Sequence, residues 1–397
     1  MSIVRLKAGR ERALERRHPW IFAGSVERVE GQSEPGATVE IVSATGTALA
    51  RAALSPSSQI RARVWTWNAE EPVDAAFFHA RIGAALARRG GYPIIPGARD
   101  AGRMLNAEAD GLPGVIADRY ADCAVLQFLS AGAERWRAEI TAALLQLSGC
   151  SVAFERSDAE VRALEGLVPR TGVLVGEPPP ESIEIETAGG VTFAVDVRNG
   201  HKTGMYLDQL ENHRRVAALA PDAEVLDCFC YNGAFSVHAL AARATRVCAV
   251  DSSGAALEIA ARNLRLNRCD PARIEWVEAD VFAYLRQLRD RGRKFDLIIL
   301  DPPKFAPTAA HVERAARAYK DINLLALKLL RPGGRLATFS CSGGVSAELF
   351  QRIVAGAAAD ARVETQILGR LGAPADHAVL LAFPEGEYLK GLVMQTR

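Results

Sequence analysis

Nowhere in this 397-residue chain do two cysteines form a CxxC pair, and the seven cysteines, at 123, 150, 228, 230, 248, 269 and 341, follow no regular interval. Such spacing fits neither a zinc ribbon nor a disulfide framework, so no metal site is expected and reduced cytoplasmic thiols are the simplest reading. Long apolar runs are missing too. No stretch approaches the roughly 20 residues that a membrane helix needs, and the opening MSIVRLKAGRERALERRHPW carries cations without an apolar centre, so neither a span nor a secretory leader is expected. Charge of one sign is scarce: 48 Lys and Arg against 47 Asp and Glu leave a net of +1. Bulk attraction to nucleic acid is thereby excluded, and any such binding must come from local patches. Internal repeats and low-complexity tracts are absent, and so is a GxGxxG fingerprint, without which the backbone cannot approach a dinucleotide pyrophosphate closely.

What is present is apolar material, 49% of the residues, enough for more than one core. The pattern predicts a multidomain chain in three parts. Residues 1–72 read as a small, mostly β domain, because segments such as ATVEIVSATGTALARAAL alternate and are broken by turn formers. Residues 73–182 read as α+β, with a helix over 72–90, another near Trp136–Leu147, and strand-like VIADRY, AVLQFL and SVAFER. GVLVGEPPP at 172–180 resembles a linker, and IEIETAGGVTFAVDV, from Ile183, reads as a hairpin opening the third part. Residues 183–397 then run strand, helix, strand, helix through VLDCFC, AFSVHALAAR, RVCAVD, SGAALEIAARNLRLN, RIEWVEAD, VFAYLRQLRDR and FDLIILD. A long helix ending near Leu330 and the strand GGRLATFSC follow. This alternation implies an α/β doubly wound, mostly parallel, Rossmann-like sheet.

In the first part, Arg16 and Arg17 precede Trp20, and Arg61 and Arg63 alternate with Trp65 and Trp67 on an expected strand. Cations interleaved with aromatics suit RNA, whose phosphates they neutralise and whose unpaired bases they stack on; a solvated helix face over a tryptophan core is the plainer alternative.

In a doubly wound sheet, ligands sit beyond the carboxyl ends of the strands. Those ends carry Asp227 with the turn through Asn232 and Gly233, then Asp251, Asp280 and Asp301. An acid about 20 residues after the first turn can grip a ribose. Ribose and adenine without phosphate describe S-adenosylmethionine: Asp251 would accept from the ribose hydroxyls, Asp280 from the adenine amine, and the Gly233 turn would pass the methionine part. Taken singly, Asp251 and Asp280 read equally as helix N-caps. The fourth strand ends in Asp301-Pro302-Pro303-Lys304 and the fifth in Ser340-Cys341-Ser342-Gly343. If these strands are neighbours, about 5 Å apart, Asp301 and Cys341 face one site. That pair suggests attack of a Cys341 thiolate on C6 of a pyrimidine, which makes C5 able to take a methyl group, with Asp301 hydrogen-bonding the base and Lys304 or the sulfonium favouring the thiolate. Cys228, Cys230 and Cys248 read as packing residues.

Beyond these residues, the blocks RRHPWIF, SQIRARVW, LQFLSAGAE, ERSD, HKTGMYLDQ, DPPKF, YKDIN, FSCSG and PEGEYLKG, in that order along essentially the whole chain, resemble those of the bacterial 23S ribosomal RNA cytosine-5 methyltransferase I family. The resemblance implies an N-terminal PUA RNA-binding barrel, a central α+β domain and a Rossmann-like methyltransferase domain, with S-adenosylmethionine as cofactor and 23S rRNA as partner. It places the nucleophile at Cys341, the acid at Asp301, and Lys202, Thr203 and Gly204 at the cofactor's mouth; spacing alone reads Lys202 as a solvated turn lysine. CFCYNGAF departs from the usual CFSYTGGF at Cys230, Asn232 and Ala234. Three other readings stand beside this one: an exocyclic-amine RNA methyltransferase acting through Asp301-Pro302-Pro303, a catalytically inactive rRNA-binding assembly factor, and a nicotinamide oxidoreductase. A homodimer is compatible with the sequence.

Overall fold

Val225 and Leu226 are neighbours in sequence, yet each is fully buried in a different hydrophobic cluster. Leu297 with Ile298, and Ala249 with Val250, divide the same way. A strand sends successive side chains to opposite faces, so runs that are apolar throughout can only belong to a sheet covered on both sides.

The computed structural model describes residues 2–90, 100–306 and 311–397, and the covered sheet lies in the second of its two compact units (residues 186–194, 208–374 and 387–397). Its strands are β1 (Glu224–Cys228), β2 (Arg246–Asp251), β3 (Ile274–Glu278), β4 (Phe295–Leu300), β5 (Leu330–Ser340), β6 (Thr365–Gly372) and β7 (Lys390–Thr396). They lie in the order β3-β2-β1-β4-β5-β7-β6. Neighbouring strands from β3 to β5 pair in parallel, while β7 runs antiparallel to both β5 and β6. The helices are α1 (Leu210–Ala217), α2 (Ala234–Ala241), α3 (Gly254–Leu266), α4 (Val281–Asp290), α5 (Val312–Leu329) and α6 (Ala347–Ala361). The order reverses between β1 and β4, so the crevice outside their carboxyl ends is where a ligand is expected.

The first unit comprises residues 2–185, 195–207 and 375–386. One sheet has six strands, ordered Trp20–Phe22, Ile60–Thr66, Ala48–Leu54, Thr38–Val42, Ile3–Leu6 and Val26–Glu30. Its core holds Val4, Leu6, Ile21, Val39, Ile41 and Val64. A second sheet of five strands runs in the order Arg170–Val175, Val152–Ser157, Cys123–Phe128, Val115–Tyr120 and Ala101–Asn106. Helices Ala75–Arg88 and Arg137–Ser148 share its core.

Two features differ from the sequence reading. Residues 170–175 form the edge strand of the five-stranded sheet rather than part of a linker; its exposed face and Gly172 give it the composition of a loop, and only pairing with Ala153–Ser157 makes it a strand. The expected third part is also interrupted, since 195–207 and 375–386 belong with the first unit. Asn106 Nδ2 bonds the Ala378 carbonyl, and the Arg89 guanidinium bonds the Asp376 carbonyl, which holds 375–386 there. The hairpin from Ile183 is present as Ile183–Glu186 and Thr192–Val195. Among the described residues, no helix is long and apolar enough to cross a membrane.

Candidate active site

The loop after β1 is tightly wound. Phe229 and Tyr231 both take left-handed backbone angles, φ 62° and 48°, which side chains with a Cβ adopt at a cost. Gly233 has φ 75° as well, and a Cβ there would stand 2.8 Å from the Ala260 Cβ and 2.9 Å from the Trp276 ring. Glycine is required at 233 by packing against α3 and β3 and by the backbone angle together. The loop is pinned by Asp251 at the end of β2, whose carboxylate accepts from the Tyr231 N–H at 2.8 Å and the Ser253 N–H at 3.0 Å. Asp251 does not cap α3; Ser253 does, accepting from the Ala256 N–H. At Asp280 the plainer reading is seen: its Oδ1 accepts from the Ala283 N–H at 2.9 Å and caps α4, leaving Oδ2 for other partners. Asn232 is buried beneath the loop, its carbonyl held by Asn263 Nδ2 at 2.9 Å.

Asp227 is wholly buried. The Ser236 hydroxyl donates to its Oδ2 at 2.7 Å, its Oδ1 has no partner among the described residues, and burial pushes its pKa up to about 7. A ring of acceptors at the ends of β1, β2 and β3, beside a loop with no phosphate-binding glycine fingerprint, suits a nucleoside with hydroxyl and amine donors and no phosphate.

Across the switch point, Asp301 follows β4. Its Oδ1 accepts from Gln209 Nε2 at 2.9 Å, and Gln209 Oε1 in turn accepts from Asn212 Nδ2 at 2.7 Å. Asp301 keeps some exposed surface, yet the atoms enclosing its carboxyl, and then the charge of Asp208, push its pKa up to about 8. At neutral pH this is chiefly a protonated acid, able to donate. Asp208 itself accepts from the Tyr388 hydroxyl at 2.6 Å.

Strands β4 and β5 are paired neighbours, as the sequence reading requires. Cys341 directly follows β5; it is partly buried, and its Sγ lies 3.9 Å from the Pro302 carbonyl oxygen, so the thiol stands against the Asp301-Pro302-Pro303 loop. A buried hydroxyl cluster holds both loops. The Tyr319 hydroxyl of α5 accepts from Ser340 Oγ at 2.9 Å and bonds Ser342 Oγ at 3.0 Å, and Ser342 Oγ accepts from the Ala306 N–H at 3.1 Å. Lys390, at the start of β7, donates from a buried Nζ to the Ser342 carbonyl at 2.8 Å and to the Val345 carbonyl. Phe305 packs its ring on Tyr319, centroids 4.9 Å apart, within an aromatic group that includes Phe229 and Phe282. Cys228, Cys230 and Cys248 are buried, and burial raises all three thiols, which leaves them un-ionised and inert.

Most of the other expected residues belong to the first unit. Thr203 belongs to the first unit, where its hydroxyl donates to Asp118 at 2.6 Å and meets the Tyr120 hydroxyl at 3.0 Å. Lys202 beside it is exposed, and Gly204 takes φ 141° with Val195 close behind it. Among the expected RNA contacts, Arg16 and Arg17 are exposed, Arg17 lying over the Trp67 ring at 5.2 Å. Arg63 is not available to phosphate: it is buried, paired with Glu165 at 2.9 Å. Trp20 is partly buried, its indole N–H bound to Glu108 and its ring packed edge-on against Phe383. Arg61 is partly buried and bonds the Pro56 carbonyl, whereas Lys304 is exposed. Gln209, Tyr319, Ser342 and Lys390 were not found from spacing. YLDQ, YKDIN, FSCSG and PEGEYLKG contributed to the family resemblance without a role for these four residues, although FSCSG gave one to Cys341 beside Ser342.

Comparison with known proteins bears on this geometry directly. Residues 4–67 match a PUA-like domain, and residues 170–375 match an S-adenosylmethionine-dependent methyltransferase. Ribosomal RNA large subunit methyltransferase I of Aeromonas hydrophila is 52% identical over 395 residues, 99% of both chains, and that of Tolumonas auensis is 50% identical over 394 residues, again 99% of both. The chain belongs to the ribosomal RNA large subunit methyltransferase I family. Its cofactor is S-adenosylmethionine, and its multidomain fold joins a PUA-like, mostly β domain to a Rossmann-like methyltransferase. The fold is also that of a methyltransferase from Streptococcus mutans, 21% identical with a TM-score of 0.84, and of SMU.776 complexed with SAH, 21% identical with a TM-score of 0.86, each covering 100% of both chains. The absence of a GxGxxG turn, read at the outset against a nicotinamide enzyme, agrees with this cofactor.

Proposed function

We propose that this family member methylates C5 of a cytosine in 23S ribosomal RNA through a covalent bond between Cys341 and C6. The observation that carries the reading is the thiol of Cys341 standing against the loop of a carboxyl that is protonated at neutral pH, at the ends of two adjacent strands. S-adenosylmethionine, when bound, supplies an electrophilic methyl group, with Asp251, Asp280 and the loop through Asn232 and Gly233 as its holders.

The Cys341 thiolate attacks C6, its lone pair forming the S–C6 bond while the C5–C6 π electrons move toward C5. Asp301, as an acid, hydrogen-bonds N3 of the base and takes up the charge that develops there; Gln209 keeps the carboxyl oriented. After C5 has gained the methyl group, loss of its proton returns an electron pair to C5–C6 and expels the thiolate. Lys202, Thr203 and Gly204 are carried into this reading as cofactor contacts, and Arg16, Arg17, Trp20, Arg61 and Lys304 as contacts to RNA. The relatives are named for large-subunit ribosomal RNA, which supports the choice of substrate. The target base must be unstacked to reach the thiol, by flipping or in an existing loop. Methylation of an exocyclic amine needs no cysteine and an aromatic ring free to stack on the base, whereas Phe305 is engaged with Tyr319.

The test incubates wild type and Cys341→Ala with labelled S-adenosylmethionine and unmodified 23S rRNA, then identifies the methylated nucleosides by mass spectrometry. Label in 5-methylcytidine with wild type and none with the variant supports the reading. Label in a methylated guanosine or adenosine, or equal activity in the variant, overturns it.

A further inference from the structure

Among the described residues, buried arginines form ion pairs with carboxylates, whereas Lys390 forms none and feels Glu387 only at longer range. Its ammonium carries three donor protons, and the two hydrogen bonds that hold it go to neutral carbonyls, those of Ser342 and Val345. Both belong to the segment that leaves β5 through Cys341. Across the antiparallel pair, Lys390 stands opposite Ser340, the residue immediately before the thiol. A lysine placed only to satisfy two carbonyls is an expensive solution, because an ammonium loses much hydration on burial. The charge must therefore be worth having at this place.

We propose that Lys390 is a positioning residue for Cys341: its ammonium ties down the loop that carries the thiol and supplies the positive charge beside which the thiolate forms. This role presupposes the Cys341 chemistry proposed above. The sequence reading gave that charge to Lys304 or to the sulfonium, but Lys304 is exposed, so water screens it. Cys341 and Lys390 interact electrostatically in the sense that favours the charged pair, while burial lowers the pKa of Lys390. The other titratable groups around them are Tyr319 from α5, Asp301 after β4, Lys304, and Glu387 before β7; Asp208 and Asp227 act on the same site through Asp301. Tyr319 is raised by burial and stays neutral, and Asp301 is chiefly protonated at pH 7, so neither opposes a thiolate with a full negative charge there.

The experiment measures alkylation of Cys341 in the full chain by iodoacetamide from pH 5.5 to 9.5, quantified by peptide mass spectrometry, with no RNA or methyl donor present. Wild type, Lys390→Met, Lys390→Arg and Lys304→Met are compared. Alkylation of Cys228 and Cys230, buried in the folded chain, reports whether each variant is folded. The expected result is a wild-type midpoint below the roughly 8.5 of a free thiol. Lys390→Met raises it by about one pH unit, which slows labelling at pH 7 about tenfold, while Lys390→Arg and Lys304→Met leave it near wild type. An unmoved midpoint in folded Lys390→Met overturns the proposal, and so does a shift caused by Lys304→Met instead. Should Lys390→Met fail to fold, a wild-type midpoint at or above that of a free thiol is enough to reject it. Since labelling needs no methyl transfer, loss of the 5-methylcytidine product would refute the proposed function without moving these curves, and the converse also holds.

Discussion

The two units bury charge in opposite ways. In the first, buried or partly buried guanidinium groups meet carboxylates: Arg63 with Glu165 at 2.9 Å, Arg89 with Asp110 at 2.9 Å, Arg103 with Asp118 at 2.6 Å and Arg162 with Glu134 at 3.0 Å. Burial works to raise the pKa of Asp110, but Arg89 and Arg88 outweigh it and the carboxyl ends below its ordinary value. In the second unit, Asp227, Asp301 and Lys390 are enclosed with hydroxyl, amide and carbonyl partners instead, and each is pushed toward its neutral form. Glu108 is the first unit's exception, raised by burial with the Trp20 indole as partner. Opposite charges brought together hold a shape at any neutral pH, whereas a charge enclosed among neutral dipoles has an ionisation that can change during a reaction. Among the described residues, the paired charges hold the first unit's shape, and Asp301 and Lys390, without such pairing, are the groups on which the proposed mechanism draws.

The largest effect that would break this contrast is on methyl transfer. Asp301→Ala should lower kcat by on the order of a hundredfold or more, the usual scale for a lost acid. Asp301→Asn, which keeps an N–H donor, should retain more. The acid form of Asp301 exists below a pKa of about 8, so its contribution is present at neutral pH and is lost as pH rises through that value. Wild-type kcat should therefore decline on the alkaline side, and the Asn variant should lack that limb. A profile for wild type that rises without limit to pH 10 would remove Asp301 from its role as donor.

Next in size is a stability effect in the first unit. Arg63→Met strands the Glu165 carboxylate in a buried site and should cost about 3–5 kcal/mol in urea unfolding. The double variant with Glu165→Leu should recover most of it. If Arg63→Met instead weakens RNA binding at unchanged stability, the pair is not architectural.

Smaller, and directed at the cofactor, is Asp280→Ser. Serine caps a helix about as well as aspartate, so thermal stability should hold. S-adenosylmethionine affinity, measured by calorimetry, should fall about tenfold if the free Oδ2 accepts from the cofactor, since a charge-assisted hydrogen bond is worth about 1.5–3 kcal/mol. Unchanged affinity would leave Asp280 as a cap alone.

The smallest concerns His213 and His238, whose pKa values burial holds below the ordinary one, His213 well below it. The unfolded chain takes up protons first as pH drops below about 6.5, so stability is full above that value and is lost on acidification. The melting temperature should fall between pH 7 and pH 5, and His213→Phe should flatten the dependence.

Elements of the second unit such as β2 and β4 could be read closely from sequence because they are largely apolar runs closed by an acid. RVCAVD is Arg246–Asp251 in the structure, and the helix read after Ser253 spans Gly254–Leu266. The neighbouring of β4 and β5, and with it the placing of Cys341 against the loop that begins at Asp301, followed from the doubly wound pattern. What sequence did not disclose depends on distant segments meeting. Gln209 reaches Asp301 across 92 residues, and Lys390 reaches Ser342 across 48. No periodicity encodes such contacts. Arg63 shows the reverse error: alternation with tryptophans reads as an RNA-facing strand until Glu165, from a distant turn, is found against it.

The strand order β5-β7-β6 has a consequence for how the protein is made. β6 leaves the ribosome before β7, yet β7 lies between it and β5. A nascent chain that has reached Gly372 therefore holds Cys341 just after β5, with β4 already beside that strand but its second partner, β7, not yet synthesised, and β6 has to wait or be displaced before Lys390 arrives. Assembly of the thiol's surroundings is thus tied to the late insertion of one strand, and the last strand to be made is the one that completes them.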